Sequence, residues 1–311
     1  MALKMLKAAG CEVDVHPENE IIPQDRLISV LQKGNYDAVL CLLTDKIGPS
    51  VFDAAPTVKI YANYASGFDN IDIEEAGRRG IMVTNAPTDL SSEAVAEHAV
   101  ALMLSLQRKI VEADKFTRTG KYGGWDPMLF MGESMRGRTL GLVGAGRIGQ
   151  IVADICSKFG VRIQYTDVKR NEIFEKQYGT AYFSSLEELL QKSDIVSLHV
   201  PLLPSTRHLL DDKRLRTMKK NSILINTSRG PVVDEKALVR ALRDKAIAGA
   251  ALDVFEFEPE LAPGLTELEN VILTPHIASS TLEAREKMAE VAAQNIIDFL
   301  SGKKPANTVN T

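Results

Sequence analysis

The chain predicts an α/β protein with doubly wound parallel sheets in two domains, and three observations lead there. Short apolar runs alternate with amphipathic runs from residue 37 onward. A glycine-rich turn follows one of those apolar runs directly. The length, 311 residues, suits two domains at roughly 150 residues each. Strands that alternate with helices build parallel sheets covered on both faces.

The elements follow in order. The chain opens in a helical pattern at 2–9 and passes to 12–15. Buried strands are expected at 37–43, 58–62 and 81–84, with a helix over 73–79 that Gly80 stops. Residues 91–119 read as one long helix capped by Ser91 or Ser92. Its apolar positions Val95, Ala99, Leu102, Leu106 and Ile110 share one face, and Val100, Met103 and Leu104 widen it almost all round. Such a helix is expected inside the fold or at a subunit interface. Further strands are expected at 139–143, 161–166, 195–199, 222–226, 248–252 and 271–273. Helices are expected at 148–159, 186–191, 235–243 and 282–300.

Composition excludes several function classes. With 37 basic and 41 acidic residues the net charge is −4, so no basic surplus exists to meet a phosphate backbone, and nucleic acid is not an expected partner. Three widely spaced cysteines (Cys11, Cys41 and Cys156) form no CxxC pair, which suits a reducing compartment. No apolar run approaches the ~20 residues a bilayer needs, and the N-terminus has no signal-peptide core. A cytoplasmic protein without a membrane partner is expected. No HExxH or comparable spacing occurs, so no metal is expected.

Leu140-Gly-Leu-Val-Gly144-Ala-Gly146-Arg-Ile-Gly149 is GxGxxG between an apolar strand and a helix pattern. Gly144 permits the tight turn, Gly146 lets backbone approach a pyrophosphate, and Gly149 lets helix and strand pack closely. The next strand ends in Asp167, near the spacing of a ribose-binding acid. An acid there favours NAD over NADP, while the adjacent Lys169 and Arg170 weaken that preference.

Three polar segments follow the last three strands: Asn226–Asp234, Ala251–Pro259 and Thr274–Ser280. In an open parallel sheet, ligands bind outside the carboxyl ends of strands. Reduction of a 2-oxo acid needs a cation for the carboxylate, ideally a forked Arg, and a proton donor for the oxygen that becomes alkoxide. Arg229 suits the first role and His276 the second, with Glu258 to orient the imidazole and favour its charged form. Singly, each has an ordinary reading. Arg229 suits a surface ion pair, Glu258 a loop acid beside Glu256 and Glu260, and His276 a turn after Pro275. Behind a dinucleotide turn they read as one set.

With these residues in view, the chain resembles the D-isomer-specific 2-hydroxyacid dehydrogenase family, most closely its glyoxylate/hydroxypyruvate reductase branch. The resemblance rests on 61–72 (YANYASGFDNID), 144–149, 226–234, 252–259 and 274–280, and runs through nearly the whole chain. It implies hydride transfer from NAD(P)H to C2 of a small 2-oxo acid, with Arg229, Glu258 and His276 as the catalytic set. It implies a substrate carboxylate held by backbone N–H groups of Ser66 and Gly67 beside Arg229, with Leu43 lining that pocket. It implies cofactor contacts from Gly144, Ala145, Gly146, Arg147, Ile148, Gly149, Asp167, Val200, Pro201, Thr227, Ser228, Arg229, Asp253, His276 and Ala278, with Val95 at the nicotinamide side. It further implies a homodimer built on helix 91–119, with Trp125 either crossing to the partner's site or packing in the interface. A Rossmann cofactor domain (87–281) would be inserted in a flavodoxin-like substrate domain (1–86 and 282–311), with the reaction in the cleft between them.

One departure concerns the start. Relatives begin with a strand before the first helix, whereas this chain opens in the helix. The flavodoxin-like domain is therefore expected to lack its first strand, and the native chain is expected to begin upstream of Met1. Two alternative activities fit the same residues, phosphoglycerate oxidation and a non-enzymatic, NAD(H)-sensing corepressor-like role.

Overall fold

A computed structural model describes residues 1–17 and 20–310. The chain divides into two compact units, 1–91 with 280–311, and 92–279.

In chain order the elements are α1 (Ala2–Ala8), α2 (Gln24–Lys33), β1 (Ala38–Cys41), α3 (Pro49–Ala54), β2 (Ile60–Asn63), α4 (Ile73–Arg78), β3 (Met82–Thr84) and α5 (Asp89–Gln107). Then come α6 (Ile110–Arg118), β4 (Thr139–Val143), α7 (Arg147–Ser157), β5 (Arg162–Thr166), α8 (Glu172–Tyr178), β6 (Ala181–Tyr182) and α9 (Leu186–Lys192). The last are β7 (Ile195–Leu198), α10 (Asp212–Thr217), β8 (Ile223–Asn226), α11 (Glu235–Arg243), β9 (Gly249–Leu252), β10 (Val271–Leu273) and α12 (Leu282–Leu300).

In the first unit β1, β2 and β3 form a parallel sheet in that order. Alternation along the strands sorts its two faces. Cys41, Tyr61 and Val83 pack with Leu31, Val51 and Phe52. Leu40 and Ala62 face the other way, where Ala62 packs with Leu6, Ala293 and Ile296. Among the described residues no strand pairs with the outer edge of β1, and the first secondary element is α1.

The second unit carries seven parallel strands in the order β10-β9-β8-β7-β4-β5-β6. Both faces are covered, which is why its strands read as near-continuous apolar runs. Leu140, Leu142, Ile163, Tyr165 and Ile225 pack beneath α5 and α7. Val143, Val196, Leu198, Leu224 and Leu252 pack beneath α9, α10 and α11.

The expected single helix 91–119 is two helices. Lys109 adopts a left-handed conformation (φ 52°) between α5 and α6 and ends the continuous ladder. The start also differs. Thr88 caps α5, its hydroxyl accepting from the N–H of Ser91, whose own hydroxyl hydrogen-bonds back to Thr88. The apolar breadth of α5 goes into the core of its own unit through Ala96, Ala99, Val100, Met103 and Leu106. No residue of α6 is buried. The short elements α2, α3, α8, α10 and β6 have no counterpart among the expected ones.

Among the described residues no helix is long and apolar enough to cross a membrane, and no cluster of His, Cys, Asp and Glu could hold a metal ion.

Candidate active site

β4 runs straight into the glycine turn. Gly144 has φ +97°, and a Cβ there would lie 2.7 Å from the carbonyl oxygen of His199. A Cβ on Gly149 would meet the Gly144 carbonyl oxygen at 2.3 Å, so the missing side chain lets α7 sit against the turn. Gly146 is different: a Cβ there would meet nothing within 4 Å. It precedes the eleven-residue α7, whose first N–H groups have no partners inside the helix. Arg147 is exposed and Ile148 half-buried beside it.

Asp167, past the end of β5, accepts from the N–H of Ala145 at 2.8 Å, which brings its carboxylate to the glycine turn. Arg170 is turned onto Glu175 by two bonds of 2.9 and 2.8 Å. Thr227 is buried, and its hydroxyl finds no hydrogen-bond partner. Open space at Gly146, a helix N-terminus, a carboxylate at the turn and an orphaned hydroxyl beyond β8 fit a bound dinucleotide. Val200 and Pro201 follow β7, and Val95 is half-buried on α5. The buried Ala278 gives its N–H to Asp253.

The polar segments stand at the carboxyl ends of three adjacent strands, β8, β9 and β10. Asn226 shapes the first. Its amide donates to the carbonyl of Arg229 at 3.0 Å, and its oxygen accepts from the N–H and hydroxyl of Ser228. Gly230 packs onto the Phe255–Glu256 peptide so closely that any Cβ would collide with it, so the Arg229 segment and the segment bearing Glu258 are held together. Arg229 is half-buried and donates to the carbonyl of Ser228 at 2.7 Å.

His276 Nδ1 lies 2.9 Å from Glu258 Oε2, and Oε1 of the same carboxylate accepts from the N–H of Phe255. Burial pushes the Glu258 carboxyl up. The hydrogen bonds from His276 and Phe255 and the nearby charges of His276 and Arg229 outweigh that and hold it below the ordinary range. His276 has φ +54°, uncommon for a residue with a side chain. Its N–H donates to the carbonyl of Asp253, and the next two N–H groups, of Ile277 and Ala278, donate to the Asp253 carboxylate at 2.9 and 2.8 Å. The hydroxyl of Thr274 donates to that carboxylate at 2.6 Å, and His98 Nε2 lies 3.4 Å from it. Asp253, expected as a cofactor contact, thus spends its buried carboxylate on the His276 loop. Burial raises its pKa, and these donors overcome that and leave it below the ordinary value.

In the first unit, Ser66 and Gly67 lie past the end of β2. Their carbonyls accept from the amides of Asn85 (2.7 Å) and Asn63 (2.9 Å), while their N–H groups make no hydrogen bond among the described residues. Asn70 donates to the carbonyls of Leu42 and Asp45 and so shapes the segment bearing Leu43, which is half-buried. Trp125 is 85% exposed.

Sequence reasoning missed Asn63, Asn70, Asn226 and the role of His98, which organise loops rather than chemistry. The signal for the asparagines was a polar residue closing or following an apolar strand, a place where a carbonyl needs a donor.

Comparison with known proteins identifies the family. The profile of the D-isomer specific 2-hydroxyacid dehydrogenase NAD binding domain matches residues 100–278. A glyoxylate reductase from Thermofilum pendens is 51% identical over 313 residues, an alignment covering 99% of this chain and 91% of that one. Among solved structures, a glyoxylate reductase from Paecilomyes thermophila superposes with a TM-score of 0.86 at 31% identity, over 99% of this chain and 94% of that one. An NADPH-dependent glyoxylate/hydroxypyruvate reductase from Sinorhizobium meliloti, solved with NADP and malonate, gives a TM-score of 0.80 at 34% identity, over 88% and 83% of the two chains. The profile spans more than half of the chain and the Thermofilum relative nearly all of it, so this protein belongs to the D-isomer-specific 2-hydroxyacid dehydrogenase family.

Proposed function

We propose that this protein reduces small 2-oxo acids, glyoxylate first and hydroxypyruvate second, to the 2-hydroxy acids. The observation that carries the reading is the His276–Glu258 pair standing with Arg229 at the carboxyl ends of adjacent strands. The resemblance to glyoxylate reductases over almost the entire chain supports the substrate class.

A reduced nicotinamide held at the glycine turn would supply hydride for C2 when bound. His276 donates the proton that the carbonyl oxygen needs as it becomes a hydroxyl, and Glu258 holds the ring on Nδ1 and leaves Nε2 for the substrate. Arg229 takes the substrate carboxylate through its forked donors. The unpaired N–H groups of Ser66 and Gly67 support their assignment to the carboxylate as well, and Leu43 is assigned to the substrate's small side chain. The N-terminus of α7 and Gly146 take the pyrophosphate, Asp167 the adenosine ribose, and Thr227 the cofactor's nicotinamide half. The placement of Arg170 on Glu175 favours NAD over NADP, because that cation is already paired.

The protein is further proposed to be a cytoplasmic homodimer. Three free thiols support the first part. The exposed run Tyr122, Trp125, Met128 and Met131 supports the second, with a second copy of the chain as its partner.

The test is NADH oxidation at 340 nm with glyoxylate, hydroxypyruvate and pyruvate, beside His276→Gln. Turnover with glyoxylate or hydroxypyruvate, nearly abolished in the variant, supports the reading. A folded wild type that binds NADH without turning over any of the three would overturn it in favour of a sensing role.

A further inference from the structure

Glu258 sits in a tight turn, where Phe257 and Glu260 pair across Glu258 and Pro259 and the N–H of Glu260 donates to the carbonyl of Phe257 at 2.8 Å. The stems on either side of such a tip set where its side chains stand. Both are held here by one side chain. Glu235, the first residue of α11, is 1% exposed. Its Oε1 accepts from the N–H of Glu256 at 2.5 Å and its Oε2 from the N–H of Ala262 at 3.2 Å. Those two N–H groups bracket Glu258 in the chain. The contact is reciprocated, since the N–H of Glu235 approaches Glu256 Oε2 at 3.4 Å. Glu256 in turn is paired outward with His208 (2.6 Å) and Arg207 (3.3 Å).

The chemistry assigned to Arg229, Glu258 and His276 does not use Glu235. Its placement is costly: burial and then the neighbouring carboxylates of Glu256 and Glu258 hold its carboxyl above the ordinary range despite the two N–H bonds. A glutamate at the start of a helix needs only solvent, and a buried acid beside two others needs a reason to stay.

We propose that Glu235 is a positioning residue of the active site, clamping both stems of the 255–262 loop so that Glu258 meets Nδ1 of His276. The proposal rests on the reading of Glu258 and His276 as the proton-donating pair.

Glu235→Ala and Glu235→Gln test it, with Glu258→Gln and the double variant Glu235→Gln/Glu258→Gln as controls. The glutamine keeps one acceptor, so it should lose less, and it keeps the test open if the alanine variant fails to fold. A shift of about 1 Å in a catalytic group costs up to roughly 100-fold in rate. The expected result is a fall in kcat of about 10- to 100-fold for Glu235→Ala and a smaller one for Glu235→Gln. The KM for glyoxylate and the Kd for NADH should stay within about twofold of wild type, because neither ligand touches Glu235. In the double variant, Glu235→Gln should add almost nothing to the loss from Glu258→Gln. Equal losses in kcat and NADH affinity, or losses that multiply in the double variant, would show a general structural role and overturn the proposal. A Glu258→Gln enzyme with wild-type kcat would overturn the catalytic pair first, and the clamp with it.

Discussion

Nδ1 of His276 lies 2.9 Å from Oε2 of Glu258, and that carboxylate is held a second time by the N–H of Phe255. Because these bonds lower its pKa below the ordinary 4.5, Glu258 stabilises the fold fully above that value. The stabilisation is lost only as pH falls through the lower, folded value. Melting wild type and Glu258→Gln in parallel should therefore show a Tm gap that is constant near neutrality and closes below about pH 4.5. A gap that widens on acidification would mean that the carboxylate is not held in its charged form.

Gly146 and Gly149 should separate cofactor binding from folding. Gly146→Ala has a permitted φ of −71° and open space for its methyl. Its Tm without ligand should match wild type, while its NADH Kd rises at least about tenfold because the methyl occupies the approach to the pyrophosphate. Gly149→Ala drives its Cβ to 2.3 Å from the Gly144 carbonyl, so both Tm and NADH affinity should fall. Equal Tm losses in the two variants would contradict the geometry, as would tight NADH binding by Gly146→Ala.

Arg229→Lys keeps the charge and removes the fork. A charge-assisted hydrogen bond contributes about 1.5–3 kcal/mol, so the KM for glyoxylate should rise roughly 10- to 100-fold, with NADH Kd little changed. The loss should be about the same for hydroxypyruvate, which presents the same carboxylate. A lysine enzyme with unchanged KM for both acids would remove Arg229 from the carboxylate site.

The residues that carry chemistry were legible because their types are few and their places are regular. Gly144, Gly146 and Gly149 follow a strand at fixed spacing, and Arg229, Glu258 and His276 each follow the end of a strand. The residues that hold those in place were not. Asn226 and Asp253 look like ordinary polar residues at strand ends, and only the folded backbone shows which N–H groups they satisfy. Glu235 has the pattern of a helix-start acid facing water, and its burial depends on the 255–262 loop arriving from elsewhere. The break at Lys109 carries no glycine or proline to announce it. Two-residue β6 and the six-residue helices α3 and α10 are too short for apolar periodicity to register.

Asp253 is fully buried and accepts from Thr274, Ile277 and Ala278, so Asp253→Ala should strand the N–H groups of Ile277 and Ala278, while the Thr274 hydroxyl keeps His98 Nε2 at 3.2 Å. Each buried unsatisfied donor costs about 1–3 kcal/mol, and relaxation recovers part of that. A net loss of about 2–4 kcal/mol is expected, or a fall in Tm of roughly 5–15 °C. The His276 loop should loosen with it, and hydrogen exchange at Ile277 and Ala278 should speed up before the rest of the unit does. Unchanged protection at those two amides would show that other contacts hold the loop.

The loop around Trp125 presents that side chain to solvent. Asp126 accepts from the N–H of Met128 at 2.7 Å, and Phe130 packs edge-on against Phe116 of α6 at 5.3 Å, which ties the loop to a helix. Trp125 nevertheless remains 85% exposed, with Met128 at 67% and Tyr122 at 55% nearby. Large exposed apolar groups in one stretch mark an interaction surface. If a second copy covers it, Trp125→Ala should cost about 2–4 kcal/mol of dimer free energy, as central aromatic contacts do. Sedimentation across a concentration series should then show a dimer Kd roughly 30- to 700-fold weaker than wild type. The Tm at concentrations where both are monomeric should agree, since an exposed side chain contributes little to the isolated fold. An alanine variant that dimerises as tightly as wild type would place the subunit contact elsewhere and leave Trp125 without a role in assembly.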